Sequence, residues 1–284
     1  DDLYTVQRSE LTRLRDTDSD GRADEYLTHA KGWGVTGNYH EYAYGPTVDG
    51  VGNLWVVLNC SIGKGSNPNN QWRGWSLRVK PDGSWEPISG GFRSPSGIGT
   101  NLAGDVFATD QQGNWFPTCP LMHVKRGAFH GHADSLQFTS RPEATFKVNL
   151  PLPKNLTVAE AAKLIPAYQL PAVWFPYRKM GMSTTDILAD STKGKFGPFA
   201  GQLFCGEFTM SFVSRVFLEK VGGEYQGACF RFREGLDCAA LRLQWGANGS
   251  MYIGQSNRGW NSLGTKSYGL QHLQWTGKTP FEIK

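Results

Sequence analysis

Long apolar runs are missing from this 284-residue chain. No stretch of about 18 apolar residues occurs, which excludes a helix of the membrane-spanning kind. The first residues, Asp1-Asp2-Leu3-Tyr4, lack the basic and apolar regions of a signal peptide, which leaves open a signal removed ahead of them. Charge is sparse: charged residues make up 19%, no block of five like charges appears, and the net charge is +4. So small and dispersed a charge excludes a nucleic-acid or lipid surface. The five cysteines contain no Cys-x-x-Cys pair, which excludes a zinc ribbon and haem attachment. No Gly-x-Gly-x-x-Gly opening a helix, no phosphate loop and no Gly-x-Ser-x-Gly elbow is present. Nicotinamide dehydrogenases, nucleotide hydrolases and ordinary serine hydrolases are thereby set aside.

What the chain has is glycine, 35 residues, and aromatics, 13%. Five segments repeat one pattern, a turn glycine followed by apolar, aromatic and apolar residues. They are Leu3-Tyr4-Thr5-Val6-Gln7, Gly52 to Val57, Gly104 to Asp110, Gly201 to Gly206 and Gly249 to Gly254. Each reads as a tight turn feeding a buried strand. Starts spaced about 50 residues apart, with one gap of about twice that, predict stacked four-stranded units, an all-β fold of the β-propeller type. The expectation is one domain over 1–284. The first repeat starts inside its strand, so the chain is expected to be a segment of a longer one. Residues just after the repeated strands, Gln7-Arg8, Asn59, Asp110-Gln111-Gln112, Glu207 and Gln255-Ser256-Asn257-Arg258, are then neighbours at one face. They form either a polar ligand site or the ordinary polar ends of strands.

The long gap contains one helical stretch, Asn155 to Ile165, with a Thr157 cap and Glu160 three residues on. It marks 151–170 as a helical insertion, a lid or a passive excursion. Ala172 to Tyr177 should resume as strand. Cys229 and Cys238 read either as a disulfide across a hairpin turning at Arg233 to Leu236 or as two buried thiols.

The sharpest motif is Asp16-Thr17-Asp18-Ser19-Asp20-Gly21-Arg22-Ala23-Asp24-Glu25. Alternate carboxylates around a turn glycine can wrap a hard cation in oxygen ligands. Set on a twelve-residue calcium loop, the expected ligands are Asp16, Asp18, Asp20, the Arg22 carbonyl and Asp24, with Glu25 or a residue elsewhere completing the shell because the twelfth position of such a loop is Leu27 here. The alternative is a solvated acidic turn. His40, among Tyr39, Glu41, Tyr42 and Tyr44, is either a general base for a substrate hydroxyl or a satisfied core histidine. His130-Gly131-His132 offers two metal ligands without a third in sequence reach.

Gly91-Phe92-Arg93-Ser94-Pro95-Ser96-Gly97-Ile98-Gly99 followed by Gly104 to Asn114 resembles the arginine-containing blade of soluble quinoprotein glucose and sorbosone dehydrogenases. That resemblance implies a six-bladed propeller, of which about five blade units are visible here, with calcium and pyrroloquinoline quinone at its axis. It implies His40 as general base and Arg93 as the quinone-facing arginine. Where that pattern places a His-Gly-Pro run, this chain has Asp110-Gln111-Gln112-Gly113-Asn114. Over nearly its whole length the chain is similar to secreted, membrane-bound dehydrogenase-like or haem-associated propellers of planctomycete and verrucomicrobial bacteria. The shared runs are Asp16 to Asp24, Gly37 to Tyr42, Arg258-Gly259-Trp260 and Leu273 to Glu282.

The first functional reading is a periplasmic or secreted, calcium-containing propeller that oxidises a sugar or sugar-derived alcohol or aldehyde with the quinone. Asp110, Gln111, Asn257 and Arg258 would orient cofactor or substrate, and a cytochrome would accept the electrons. The second is a non-catalytic carbohydrate-binding or assembly propeller stacking sugars on Trp115, Trp174 and Trp260. The third is a polysaccharide lyase or hydrolase, with His40 and Tyr39 or Tyr42 as base and acid.

Overall fold

The computed structural model describes residues 2–63, 71–149, 155–257 and 260–278. Their regular elements are strands apart from two short helical segments, and the residues divide into two compact units, Asp1–Ile98 with Val124–Leu170 and Gly99–His123 with Pro171–Lys284. No helix among them is long and apolar enough to cross a membrane.

The first unit holds a three-stranded sheet, β1 (Leu3–Val6), β2 (Glu10–Arg15) and β3 (Glu25–Lys31). Beside it in sequence is a four-stranded sheet of β4 (Ala43–Val48), β5 (Leu54–Leu58), β6 (Trp75–Val79) and β7 (Trp85–Gly90). Neighbouring strands pair antiparallel in sequence order, the meander expected when short turns link successive strands. Every residue of β5 is buried, as a continuous apolar run demands. Trp75 is fully buried, donates from Nε1 to the Ser135 carbonyl at 2.9 Å and stacks on Phe146 at 4.9 Å. A Cβ at Gly90 would lie 2.7 Å from that indole, so the glycine lets the ring in.

The second unit holds three sheets in the same meander order. They are β8 (Gly97–Thr100, its second half in this unit), β9 (Val106–Thr109), β10 (Pro120–His123) and β11 (Val173–Trp174), then β12 (Thr184–Ala189), β13 (Leu203–Glu207), β14 (Phe212–Val221) and β15 (Glu224–Arg233), then β16 (Ala240–Trp245), β17 (Met251–Ser256) and β18 (Tyr268–Leu273). One core cluster joins Phe107, Leu121, Phe175, Leu203 and Val216, and a second joins Phe196, Phe204, Val213, Met251 and Ile253.

Four of the five repeated segments are β5, β9, β13 and β17, each second in its sheet. The turns before β5 and β9 are built alike. Asp49 Oδ1 accepts the amides of Val51 and Asn53 at 3.0 and 2.9 Å, and Asn101 Oδ1 accepts those of Ala103 and Asp105 at the same distances. Gly52 and Gly104 sit at φ 88° and 84°, which a glycine adopts without strain.

The predicted helix is present as α1 (Val158–Leu164), with Thr157 and Glu160 forming the reciprocal capping box. Residues 151–154 of the predicted insertion lie outside the described residues. Two local expectations are corrected. The strand after α1 is only Val173–Trp174, because Pro176 offers no amide to a ladder. Cys229 and Cys238 do not face each other across a hairpin: Cys229 lies in β15, which pairs with β14 opposite Val216, while Cys238 precedes β16 in the next sheet. All five cysteines are free.

Candidate active site

His40 sits on the turn between β3 and β4, and buried groups fix that turn. Asn38, 6% exposed, accepts the His40 amide on Oδ1 at 2.9 Å and donates from Nδ2 to the Ile62 carbonyl at 3.2 Å. Next to His40, Glu41 is fully buried. Its carboxylate accepts the Thr36 amide and hydroxyl, each at 2.6 Å, and the Ser61 hydroxyl. Burial works against that charge, but these hydrogen bonds and the nearby Arg73 outweigh it and hold the carboxyl below its ordinary range.

Arg73, 1% exposed, holds the base of the turn. It donates to the carbonyls of Gly34 and Tyr42 at 2.7 Å each, and to that of Arg8. Burial lowers its pKa to about 10, which leaves it charged at neutral pH. Arg8, just past β1, donates to the Asn38 and Glu41 carbonyls and lies 5.7 Å from the Tyr42 ring centroid. The ends of β1 and β5 meet here, since the Asn59 amide donates to the Tyr42 carbonyl at 3.0 Å.

Of the three residues after β5, two hold the Arg93 segment and the third reaches the His40 turn. Asn59 Nδ2 donates to Ser94 Oγ at 3.1 Å, the Cys60 amide donates to the Arg93 carbonyl at 2.9 Å, and Ser61 reaches Glu41. Cys60 Sγ lies 3.0 Å from the Phe92 carbonyl and 3.6 Å from His132 Nδ1. His40 and Arg93 are thus brought together within one unit, both half-buried. Partial burial, then the Arg93 charge, lower the His40 pKa, so its imidazole is neutral at pH 7 and able to accept a proton. Burial, with Arg93 adding to it against Asp134, brings His132 down to about 4.

Asn59 Oδ1 is buried and has no hydrogen-bond partner among the described residues. An acceptor of that kind is what a ligand hydroxyl or an ordered water satisfies.

The remaining predicted residues lie in the second unit or on the surface. Asp110 is fully buried and accepts the Gln111 amide at 2.7 Å. Gln111 Nε2 donates to the Thr184 carbonyl at 2.7 Å. Asn257 accepts the Ala239 amide and the Ser262 hydroxyl on Oδ1, and donates to the Lys266 carbonyl. The side-chain groups of Gln111 and Asn257 thus engage the chain itself. Arg258 lies outside the described residues.

The acidic motif connects β2 to β3. Carboxylate oxygens of Asp16, Asp18 and Asp24 come within 4.8 Å of one another, the spacing of ligands across a cation with oxygens at about 2.3 to 2.6 Å. Glu25 instead pairs with Arg15 at 2.9 Å, and Asp20 accepts the Arg22 amide at 2.8 Å.

Sequence reasoning missed Arg73, Glu41 and Cys60 as supports of the site. The one local sign was Trp72-Arg73-Gly74-Trp75, an arginine between tryptophans, a setting that favours burial of the guanidinium.

These five sheets make a β-propeller of five blades among the described residues. A family model described as Domain of unknown function (DUF7133) matches residues 3–237, and the chain belongs to that family. No curated protein matches the sequence. Among solved structures, a glucose dehydrogenase is similar with TM-score 0.66 at 15% identity, over 94% of this chain and 74% of that one. The PQQ-bound form of an aldose sugar dehydrogenase from Streptomyces coelicolor is similar with TM-score 0.60 at 16% identity, over 95% and 74% of the two chains. The holo form of the pyranose dehydrogenase PQQ domain from Coprinopsis cinerea gives 0.56 at 13%, over 88% and 75%. At such identities the likeness speaks for the shared fold.

Proposed function

We propose that the chain is a single propeller domain of the six-bladed quinoprotein kind, akin to the haem-associated bacterial propellers, that oxidises a sugar or sugar-derived alcohol or aldehyde. The observation that carries this reading is the neutral His40 imidazole beside the Arg93 guanidinium, on a turn locked by buried Asn38, Glu41 and Arg73. The charge suits pyrroloquinoline quinone, because an anionic quinone needs a cation, which Arg93 supplies, while the unpartnered Asn59 Oδ1 is an acceptor for an N–H or O–H of cofactor or substrate. When bound, that group supplies the hydride acceptor. His40 takes the substrate hydroxyl proton on its ring nitrogen as the carbon gives up hydride. Arg93 holds the cofactor by charge, and the Asn59–Ser61 segment keeps Arg93 in register with the His40 turn.

Calcium belongs to the same proposal. Asp16, Asp18 and Asp24 would hold it between β2 and β3, with Asp20, Arg22 and Glu25 nearby in sequence, in a structural role. Orientation of substrate by Asp110, Gln111, Asn257 and Arg258, a periplasmic or secreted location and a cytochrome acceptor complete the reading.

Dye reduction over a panel of aldoses and sugar alcohols, with calcium and the quinone added, is the test. Turnover that requires the quinone and falls about 100-fold or more in His40→Ala is expected, the usual worth of a positioned general base. Quinone-independent release of unsaturated or reducing ends would replace this reading with the polysaccharide lyase or hydrolase. Sugar binding without turnover would replace it with the carbohydrate-binding propeller, a reading favoured by Trp260, which is 64% exposed.

A further inference from the structure

The turn that carries His40 carries a second outward residue, Tyr39. The Glu41 amide donates to the Asn38 carbonyl at 3.2 Å, which closes a β-turn with Tyr39 and His40 as its two central residues. Asn38 and Glu41, at the two ends of that turn, are both buried and hydrogen-bonded to other segments through their side chains. The Asn38 side chain also takes the His40 amide at 2.9 Å, and the Tyr42 amide donates to the His40 carbonyl at 2.8 Å. The two corner side chains therefore stand on a fixed backbone.

Tyr39 is 58% exposed. An exposed aromatic is ordinary by itself. This one, however, is held by other rings: its centroid lies 5.4 Å from that of the His40 imidazole and 5.6 Å from that of Tyr42, with interplanar angles of 82° and 84°. Perpendicular contacts of this kind are favourable and orient the ring. Tyr42 is tied down in turn, with the Arg8 guanidinium 5.7 Å from its ring centroid. The phenol is thus an oriented aromatic surface, more than half open to solvent, directly beside the half-buried imidazole.

The chemistry of that pair selects what covers it. A ring that has an apolar C–H face and hydroxyls around its rim can lie on the phenol and bring one rim hydroxyl to the imidazole at the phenol's side. A sugar ring has that shape, and tyrosine offers it a large, rigid contact at small entropic cost. An open-chain polyol has no fixed apolar face, and its backbone must be ordered on binding.

We propose that Tyr39 is a substrate-binding residue of the His40 site, a platform on which the C–H face of a sugar ring rests while a ring hydroxyl meets the imidazole. The proton transfer in this picture rests on the oxidation reading, whereas the binding does not.

Calorimetric titration of the full chain with D-glucose, D-galactose and D-xylose tests the platform, with sorbitol as the open-chain comparison, each with and without the quinone and with no dye present. At least one sugar should bind with Kd of about 10 mM or tighter, and more tightly than sorbitol. Tyr39→Ala should weaken that binding by about tenfold or more, and Tyr39→Phe, which keeps the ring and removes the hydroxyl, should stay within about twofold of the wild type. Thermal melting verifies that both variants are folded. In dye reduction Tyr39→Ala should raise KM by the same factor with kcat within about threefold, the pattern of binding shared by ground and transition states. Wild-type affinity in folded Tyr39→Ala would overturn the proposal, as would equal affinity for sorbitol or failure of all three sugars to bind. Loss of binding in Tyr39→Phe would also overturn it, by making the hydroxyl the working group. Binding that depends on Tyr39 without any dye reduction would uphold the platform and remove the oxidation reading. Dye reduction with an unchanged KM in Tyr39→Ala would do the reverse.

Discussion

Asn59 and Ser94 are joined by a 3.1 Å hydrogen bond from Nδ2 to Oγ, which ties the end of β5 to the segment carrying Arg93. Asn59 is 2% exposed, and its amide also holds the Tyr42 carbonyl. One short segment therefore sets the spacing between the candidate base and the candidate cofactor arginine. Asn59→Ala should cost about 1 to 2 kcal/mol, the worth of a buried side-chain hydrogen bond together with the site it leaves unfilled. It should also lower turnover more than substrate affinity. Urea unfolding and steady-state kinetics on the same preparation check both.

The His40 proton equilibrium should respond to Arg93. Partial burial and the guanidinium both disfavour the imidazolium, so His40 titrates below the ordinary histidine value of about 6.5. In Arg93→Ala the charge contribution disappears while the burial contribution stays. The midpoint should rise toward the ordinary value without passing it. A histidine-selective NMR titration of the two proteins measures this, and an unchanged midpoint would separate the two groups.

The strands β5, β9, β13 and β17 were legible in the sequence because each follows a turn glycine with an apolar run, and both signals are local. The helix cap at Thr157 and Glu160 was legible for the same reason. The pairing of Cys229 was not. The strand after it opens a new sheet, and nothing in Arg233 to Leu236 distinguishes a turn within a sheet from a passage between sheets. For the candidate site, the sequence offered a chemistry to propose but not the supports around it. His40 was a candidate from its own neighbours and Arg93 only through the family resemblance, whereas the role of Arg73 depends on three carbonyls from Arg8, Gly34 and Tyr42, far away along the chain. The β-bulge in β3, where the register with β2 passes from Leu11 opposite Ala30 to Thr12 opposite Thr28 and skips His29, was likewise invisible, since register is a property of two strands.

His132 should make the fold sensitive to acid. Its pKa is about 4 in the folded chain against about 6.5 for a free histidine. The unfolded chain therefore binds the extra proton between those values. Stability should fall as pH drops from about 6.5 toward 4, by on the order of 3 kcal/mol from this group. In His132→Gln that part of the slope should vanish, although the contact with Cys60 is also lost and the stability at pH 7 is lower. Denaturant midpoints at pH 7, 5.5 and 4.5 for both proteins test the slope independently of the offset.

Arg73 carries the largest expected stability effect. Its guanidinium satisfies three backbone carbonyls and lies near the buried Glu41 carboxylate, whose pKa it helps to depress. Arg73→Met would strip those carbonyls of donors and leave Glu41 without a counter-charge, a change that costs about 3 to 5 kcal/mol when a buried charged group loses its partner. Arg73→Lys keeps the charge but lacks the planar fork that reaches three acceptors, so it should fall in between. Adding Glu41→Gln to Arg73→Met removes the stranded carboxylate, and the double variant should be more stable than the sum of the single losses predicts. Urea unfolding of the four proteins closes the cycle. Strict additivity would mean that Glu41 is held by Thr36 and Ser61 alone and that Arg73 acts only as a clamp on the backbone.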